Sequence, residues 1–352
     1  MDAIDFLEDT VKIRSHETVD EIRDYLLENV EGAETHESGC VVASKGGNEV
    51  GGNAPHVVFN THMDVVPPHV EFERENGIIK GRGSCDAKAS LAAMATAFRR
   101  ADVEDGELSL VISPDEETLS TGLYEYIGSE YKNENDASVP DMAVVGEPTG
   151  LDICTAARGR FEVIVSFEGE AAHAASGAGT SAVSCAAEAI RRLDSLLGDS
   201  RLTVTQIEGG EASNQVPEEA SFFIDRRSVP PETQDEFLEK VKDELTGLDC
   251  TVSVRFSDRP TPFLEAFRTA EDEAVVGAVS SAIETVTGDE AVIRPFDASY
   301  FTQLADVPVV VFGAGLISEG GEPVAHSERE YVRVEEVETA TDVLTKFLNS
   351  TV

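Results

Sequence analysis

The apolar positions of this chain change rhythm twice, and the changes divide it into three stretches. The first begins with "MDAIDFLEDTVKI", where Ile4, Leu7 and Val11 share one helical face. Short apolar runs follow in "HVVFNTHMD", "ELSLVISPDEE" and "MAVVGEPTG", and "KASLAAMATAFRRA" between them carries a helical apolar stripe. Buried strands separated by helices predict an α/β sheet, mostly parallel, with helices on both faces. Ligand sites in such sheets collect at the carboxyl ends of the strands. All three runs end in His, Asp or Glu.

After residue 156 the period falls to two. "GRFEVIVSFEGEAAH", "RLTVTQIEGG", "EASFFIDRRSV" and "CTVSVRFSDRP" alternate apolar with polar, as half-exposed antiparallel strands do. Helical segments "TSAVSCAAEAIRRLDSLL" and "PETQDEFLEKVKDELTGL" lie among them. From residue 263 the α/β texture returns with "EDEAVVGAVSSAIETVTG", "VPVVVFGAG" and a final helix. The expected organisation is a catalytic domain split into 1–156 and 263–352, with an α+β domain inserted at 157–262.

Composition narrows the setting. The 352 residues exceed what one core usually accommodates, and 41% are apolar, so two folded domains are expected rather than disorder. Against 27 Lys and Arg stand 68 Asp and Glu, a net charge of −41 spread along the whole chain. Self-repulsion of that size is relieved by dense counterions, which predicts a halophilic cytoplasm. It disfavours nucleic acid and anionic membrane as partners. Five cysteines without a CxxC pair read as reduced, buried thiols. The N-terminus has neither the basic nor the apolar region of a signal peptide, and no apolar run reaches bilayer length. Nucleotide-binding motifs fail on context: "GGNEVGG" lies in a polar loop, and the Lys of "GRGSCDAK" has no Ser or Thr directly after it.

Singly, the acids and histidines at strand ends have ordinary explanations. A lone His is usually a satisfied core or surface residue, and in so acidic a chain a Glu pair is usually a solvated helix start. Together, His62, Asp64, Asp86, Glu116, Glu117, Glu147 and His326 suit a pair of metal ions. Asp86 would bridge, His62 and Glu147 would hold one ion, and Glu117 and His326 the other. Asp64, two residues from His62, would accept its second ring N–H. Glu116 would take a proton from the attacking water, because adjacent residues of an extended segment point opposite ways.

"THMDVVP", "GRGSCDAKASLAAM", "SPDEE", "VVGEPT", "GEAAHAASGAGTSA", "GGEASNQVPEEASFFIDRR" and "VPVVVFGAGLISEGGEPVAHSEREYV" resemble, in order, the signature blocks of the di-zinc aminoacylase-type peptidases. Succinyl-diaminopimelate desuccinylase, acetylornithine deacetylase and glutamate carboxypeptidase belong to that family. The resemblance implies a zinc-dependent exopeptidase-like catalytic domain with an inserted lid or dimerisation domain, two Zn ions (Co and Mn suit the same ligands), and a homodimer through the insert. It implies the metal and base roles just given. It also implies that His173 polarises the scissile carbonyl, within its own subunit or from a partner's, and that Asn214 and Arg227 contact a substrate carboxylate. Gly313 and Gly315 resemble the glycine turn beside the substrate. The expected reaction is hydrolysis of an N-acylated small amino acid, N-succinyl-L,L-diaminopimelate first, then acetylornithine or another N-acyl amino acid, then a dipeptide or carboxypeptidase substrate. A non-catalytic metal-binding relative is the reading outside that class. Departures fall around Asp297 in "RPFDASYF", after His173, and at Ala87, where the family usually has Met. None is a metal ligand.

Overall fold

Four of the apolar runs become the parallel centre of one sheet. The computed structural model describes residues 1–46, 55–103, 106–131, 139–194, 201–296 and 307–352. Glu107–Ser113, His56–His62, Met142–Val145 and Val309–Val311 lie side by side in that order, all parallel. Val41–Gly46 pairs antiparallel outside Glu107–Ser113, and Ile153–Ala157 pairs antiparallel with Val309–Val311. Every residue of His56–His62 and of Met142–Val145 is buried. Burial on both faces explains why these strands read as continuous apolar runs.

The helix Lys88–Arg100 was expected to show an apolar stripe, yet every residue from Lys88 to Phe98 is buried. Its alanines let it sit closely against His56–His62, Glu107–Ser113 and the C-terminal helix Val334–Thr351. The first helix, Ala3–Lys12, is capped at its start by Asp2, whose Oδ1 accepts the Asp5 N–H at 2.8 Å. At its other end the Lys88 ammonium donates to the carbonyls of Thr10 and Ile13, each at 2.9 Å. A buried lysine thus satisfies carbonyls that a helix end leaves open.

The chain divides into two compact units. The larger comprises Met1–Ala156, Thr269–Phe296 and the C-terminal stretch to Val352; the smaller is Ala157–Arg268. The smaller unit runs past residue 262 because Arg160 N–H donates to the Leu264 carbonyl at 2.8 Å and Phe263 packs in its core. It holds a four-stranded antiparallel sheet in the order Arg201–Gly209, Glu219–Arg227, Phe161–Glu168, Thr251–Phe256. Buried and half-buried residues alternate along Phe161–Phe167, and the apolar face meets the helices Ala182–Leu193 and Gln234–Glu244. Thr233 and Glu236 form a reciprocal capping box at the start of the second helix.

One expectation fails here. Cys185 on its helix and Cys250 beside the strand Thr251–Phe256 are joined in a disulfide, not held as thiols. Their Cα atoms lie 6.4 Å apart, within bridging range. Two residues 65 apart in sequence carry no local signal of that pairing. Cys40, Cys85 and Cys154 are buried thiols, and burial pushes Cys40 up to about 12 and Cys154 up to about 11. No helix among the described residues is long and apolar enough to cross a membrane. Alkylation of the denatured, unreduced chain should label Cys40, Cys85 and Cys154 alone; labelling of all five cysteines would return Cys185 and Cys250 to thiols.

Candidate metal centre

Parallel strands put their carboxyl ends on one edge of the sheet, and the loops leaving that edge carry the acids. His62 ends the central strand, and Asp64 follows it. Glu116 and Glu117 follow Ser113 of the neighbouring strand, and Glu147 follows Val145 on the other side. Asp86 closes the loop before the helix Lys88–Arg100. His326 comes from the loop before the last helix, at a left-handed φ of 61° that residues with a Cβ adopt infrequently.

Asp64 organises three of these groups. Its Oδ1 accepts the Glu116 N–H and its Oδ2 the Glu117 N–H, both at 3.0 Å. The His62 Nδ1 lies 3.0 Å from the Asp64 carbonyl oxygen and 3.3 Å from Oδ1. With oxygens on that side, Nδ1 donates to them, and Nε2 is the nitrogen that a cation could claim by displacing its proton. That Nε2 is buried without a hydrogen-bond partner, as is the Glu147 Oε2. From Nε2 it is 3.4 Å to Asp86 Oδ1, 3.8 Å to Glu147 Oε1 and 4.0 Å to Glu116 Oε2. Ligand atoms about 2.1 Å from a tetrahedral ion stand about 3.4 Å from one another.

The second oxygen of Asp86 faces the other imidazole. His326 Nε2 is 3.1 Å from Asp86 Oδ2 and 3.0 Å from Glu117 Oε1. One carboxylate therefore has an imidazole nitrogen at each of its oxygens. Among the described residues, His62 with Glu116 and Glu147, and His62 with Asp86 and Glu117, each bring ligand atoms within 4.8 Å of one another. This grouping differs from the expected partition in setting Glu116 with His62 and Glu147, and in setting Glu117 with His62 and Asp86.

The charge balance also suits cations. Burial, reinforced by Asp86, drives the Glu147 carboxyl well above its ordinary range. Burial, with Glu117, Asp86 and Asp64 adding repulsion, pushes Glu116 up to about 8 against the pull of His62. Bonds to Asp86 and Glu117 raise His326 to about 10. Burial alone would lower His62, but the carboxylates around it outweigh that and leave it well above its usual value. Burial alone would raise Asp86, and the two imidazoles overcome it and hold the carboxyl low. Carboxyls held up by burial and then by one another, beside buried nitrogen and oxygen atoms without hydrogen-bond partners, are what divalent cations relieve.

The remaining expected residues are distributed as follows. In the larger unit, a Cβ on Gly313 would come within 2.5 Å of the Glu147 carbonyl oxygen, and one on Gly315 within 2.6 Å of Cys85 Sγ. Both glycines thus permit close approach to the strand end that carries Glu147 and the loop that carries Asp86. His173, Asn214 and Arg227 belong to the smaller unit. There the short strands Ala172–His173 and Gln215–Val216 pair, and the Ala174 N–H donates to the Asn214 carbonyl at 2.9 Å. The exposed His173 ring accepts the Ala175 N–H at Nδ1, 3.2 Å. Arg227 Nε is 2.8 Å from Asp225 Oδ1. Asp297 lies outside the described residues.

Two supporting residues had no assigned role in the sequence. Glu330 is fully buried and accepts backbone N–H groups of the Asp86 loop, and Arg82 pairs with it. Arg82 was only one letter of the glycine-rich block, and Glu330 is one acid among 68 Asp and Glu.

Imidazoles bracketing a shared carboxylate, at the carboxyl edge of a mostly parallel sheet, are the donor set of a divalent-cation centre. Residues 58–350 match the model of peptidase family M20/M25/M40, and the chain belongs to that family. An uncharacterized metallohydrolase of Methanocaldococcus jannaschii is 28% identical over 348 residues, covering 95% of this chain and 94% of that one. A Pyrobaculum aerophilum protein described as a LysW-lysine/LysW-ornithine hydrolase is 29% identical over 358 residues, covering 98% and 96%. Among solved structures, the aminopeptidase PepT of Bacillus cereus superposes with a TM-score of 0.78 at 19% identity, covering 99% and 98%. An M20 family metallo-carboxypeptidase of Sulfolobus solfataricus gives 0.69 at 19%, covering 99% of each chain. At such identities the structural likeness establishes the fold.

Stripped of metal by chelation, the protein should lose stability as pH rises from about 5 to about 10. Glu116, raised to about 8, and His326, raised to about 10, hold protons when folded that the unfolded chain has released. Thermal melts should therefore place the chelated midpoint higher at pH 5 than at pH 9, and divalent cation should reduce the difference. A chelated midpoint that climbs with pH would contradict this account.

Proposed function

We propose that the chain hydrolyses the amide of an N-acylated small amino acid, using two divalent cations, zinc in the first instance. The observation that carries this reading is Asp86, whose two oxygens face different imidazoles. His62, Glu147 and Asp86 would hold one ion, and Asp86, Glu117 and His326 the other; Co and Mn suit the same donors. Such a pair supplies polarisation of the carbonyl and acidification of water.

The chain's own groups do the rest. Glu116, lifted by burial toward neutrality, accepts the proton of the attacking water and returns it to the leaving amine. Asp64 keeps the Glu116 backbone and the His62 ring in place. His173 accepts the Ala175 N–H at Nδ1, and its Nε2 would donate to the scissile carbonyl oxygen, within its own subunit or from a partner's. Asn214 and Arg227 would bind a substrate carboxylate, which must compete with Asp225 for the Arg227 guanidinium.

The signature blocks favour N-succinyl-L,L-diaminopimelate, followed by acetylornithine. The hydrolase of Pyrobaculum aerophilum, 29% identical over 98% of this chain, supports a second reading in which the substrate is a LysW-lysine or LysW-ornithine conjugate. The curated fungal relatives described as carboxypeptidases, 28% identical over 328 residues, keep a peptide substrate as the third. A homodimer is proposed through the smaller unit, where Arg201–Gly209 is an edge strand that exposes Ile207. The proposed setting is a salt-rich cytoplasm.

Replacing Glu116 with Gln should lower kcat by about 10²–10⁴-fold while the metal content stays at two per chain. A near-normal rate removes the base role, and a loss of metal makes Glu116 a ligand instead. The panel of succinyl-diaminopimelate, acetylornithine and dipeptides, each with and without chelator, selects the substrate; activity untouched by chelator would defeat the metal reading. Raising KCl from about 0.1 M to about 1 M shortens the screening length from about 10 Å to about 3 Å and should raise the unfolding midpoint of this −41 chain markedly. A midpoint indifferent to salt would argue against the halophilic setting.

A further inference from the structure

The loop from Gly81 to Asp86 has a run of backbone donors pointing at one acid. Glu330 Oε1 accepts the N–H of Gly83 at 2.9 Å, of Asp86 at 3.1 Å and of Cys85 at 3.2 Å. Its Oε2 pairs with the Arg82 guanidinium, and its own carbonyl accepts the Gly81 N–H at 3.2 Å. Arg82 Nε donates in turn to the Pro68 carbonyl at 3.0 Å, on the segment that follows Asp64. Arg82 and Glu330 are each 1% exposed. The contacts satisfy donors that neither helix nor sheet would satisfy, and they converge on the peptide that presents Asp86. Glu330 also lies four residues after His326 in the same loop.

We propose that Glu330, anchored by Arg82, is a positioning residue of the centre, holding the Asp86 peptide and the His326 loop together so that the second cation position exists. This rests on the two-cation reading above. His62 and Glu147 stand on strand ends that do not depend on the clamp. His326 faces both Glu117 and the outer oxygen of Asp86, and the loop that carries His326 carries Glu330 itself, so the clamp supports two of the groups around the second position. Loss of the clamp should therefore weaken the second cation far more than the first.

Two substitutions separate positioning from mere charge balance with Arg82. Glu330→Gln keeps an oxygen on the N–H groups and removes the charge. Glu330→Asp keeps the charge and withdraws it by one methylene. Chelated wild type and both variants would be titrated with Co²⁺, reading stoichiometry and affinity from the visible absorption of the bound ion, with melts of the chelated proteins to register folding. Expected is wild-type binding of two Co²⁺ per chain, two within a few-fold of that affinity in Glu330→Gln, and a second equivalent weakened about 10–100-fold in Glu330→Asp. If Glu330→Gln does not fold beside an unpaired Arg82, the double variant Arg82→Gln, Glu330→Gln, which keeps a side-chain amide able to bond position 330, replaces it with the same expectation. Two Co²⁺ bound by Glu330→Asp as tightly as by wild type, or weaker binding in Glu330→Gln than in Glu330→Asp, would overturn the proposal and leave the metal centre standing. A wild type that takes fewer than two would instead sink the reading on which it rests.

Discussion

Everything in the larger unit answers to one electrostatic constraint: five carboxylates share a small, largely buried space with two imidazoles. Water screens such a cluster on a surface, but here His62, Asp86 and Glu147 are almost fully buried. Each carboxylate raises the cost of ionising the next. The arrangement persists because the fold places the groups before their charges are compensated, and compensation must come from outside the chain. A cation-binding centre is therefore the sense of the geometry, and hydrolysis follows from what cations do to water and carbonyls.

The fold supplies that placement with few parts. Parallel pairing sends Glu107–Ser113, His56–His62 and Met142–Val145 toward the same edge, so residues distant in sequence leave the sheet side by side. Asp64 then ties one loop to the next through the backbone of Glu116 and Glu117. The Asp86 loop lacks a strand to hold it and is pinned from two directions. Lys88 fastens its far end to the carbonyls of the first helix, and Glu330 gathers its amides. Burying Lys88 pushes its ammonium down to about 7, a cost that the contacts with Thr10 and Ile13 offset.

The smaller unit obeys different rules. Its strands alternate because one face is wet, and its helices cover only the other face. The disulfide between Cys185 and Cys250 closes a long loop across that covered face, which restricts the unfolded chain more than it adds contacts to the folded one. His173 and Asn214 come together here through a two-strand ribbon. Arg227 is engaged by Asp225 two residues away, the ordinary fate of a cation in so acidic a chain.

The sequence by itself determined the sheet, the alternation of the insert and the identity of the acids at the strand ends, because period and burial are local properties that the order of residues records. It also carried the family blocks that distinguish His62, Asp86 and Glu147 from the many other acids and histidines. Contacts between distant residues left no such record. The disulfide joins positions 65 apart, and the extension of the smaller unit to Arg268 depends on Leu264 finding Arg160. Glu330 reaches across more than two hundred residues to the Asp86 loop, and Asp86 turns one oxygen to each imidazole. Those were decided only by the tertiary structure, since a hydrogen bond or a bridged carboxylate depends on ångströms between atoms and not on spacing along the chain.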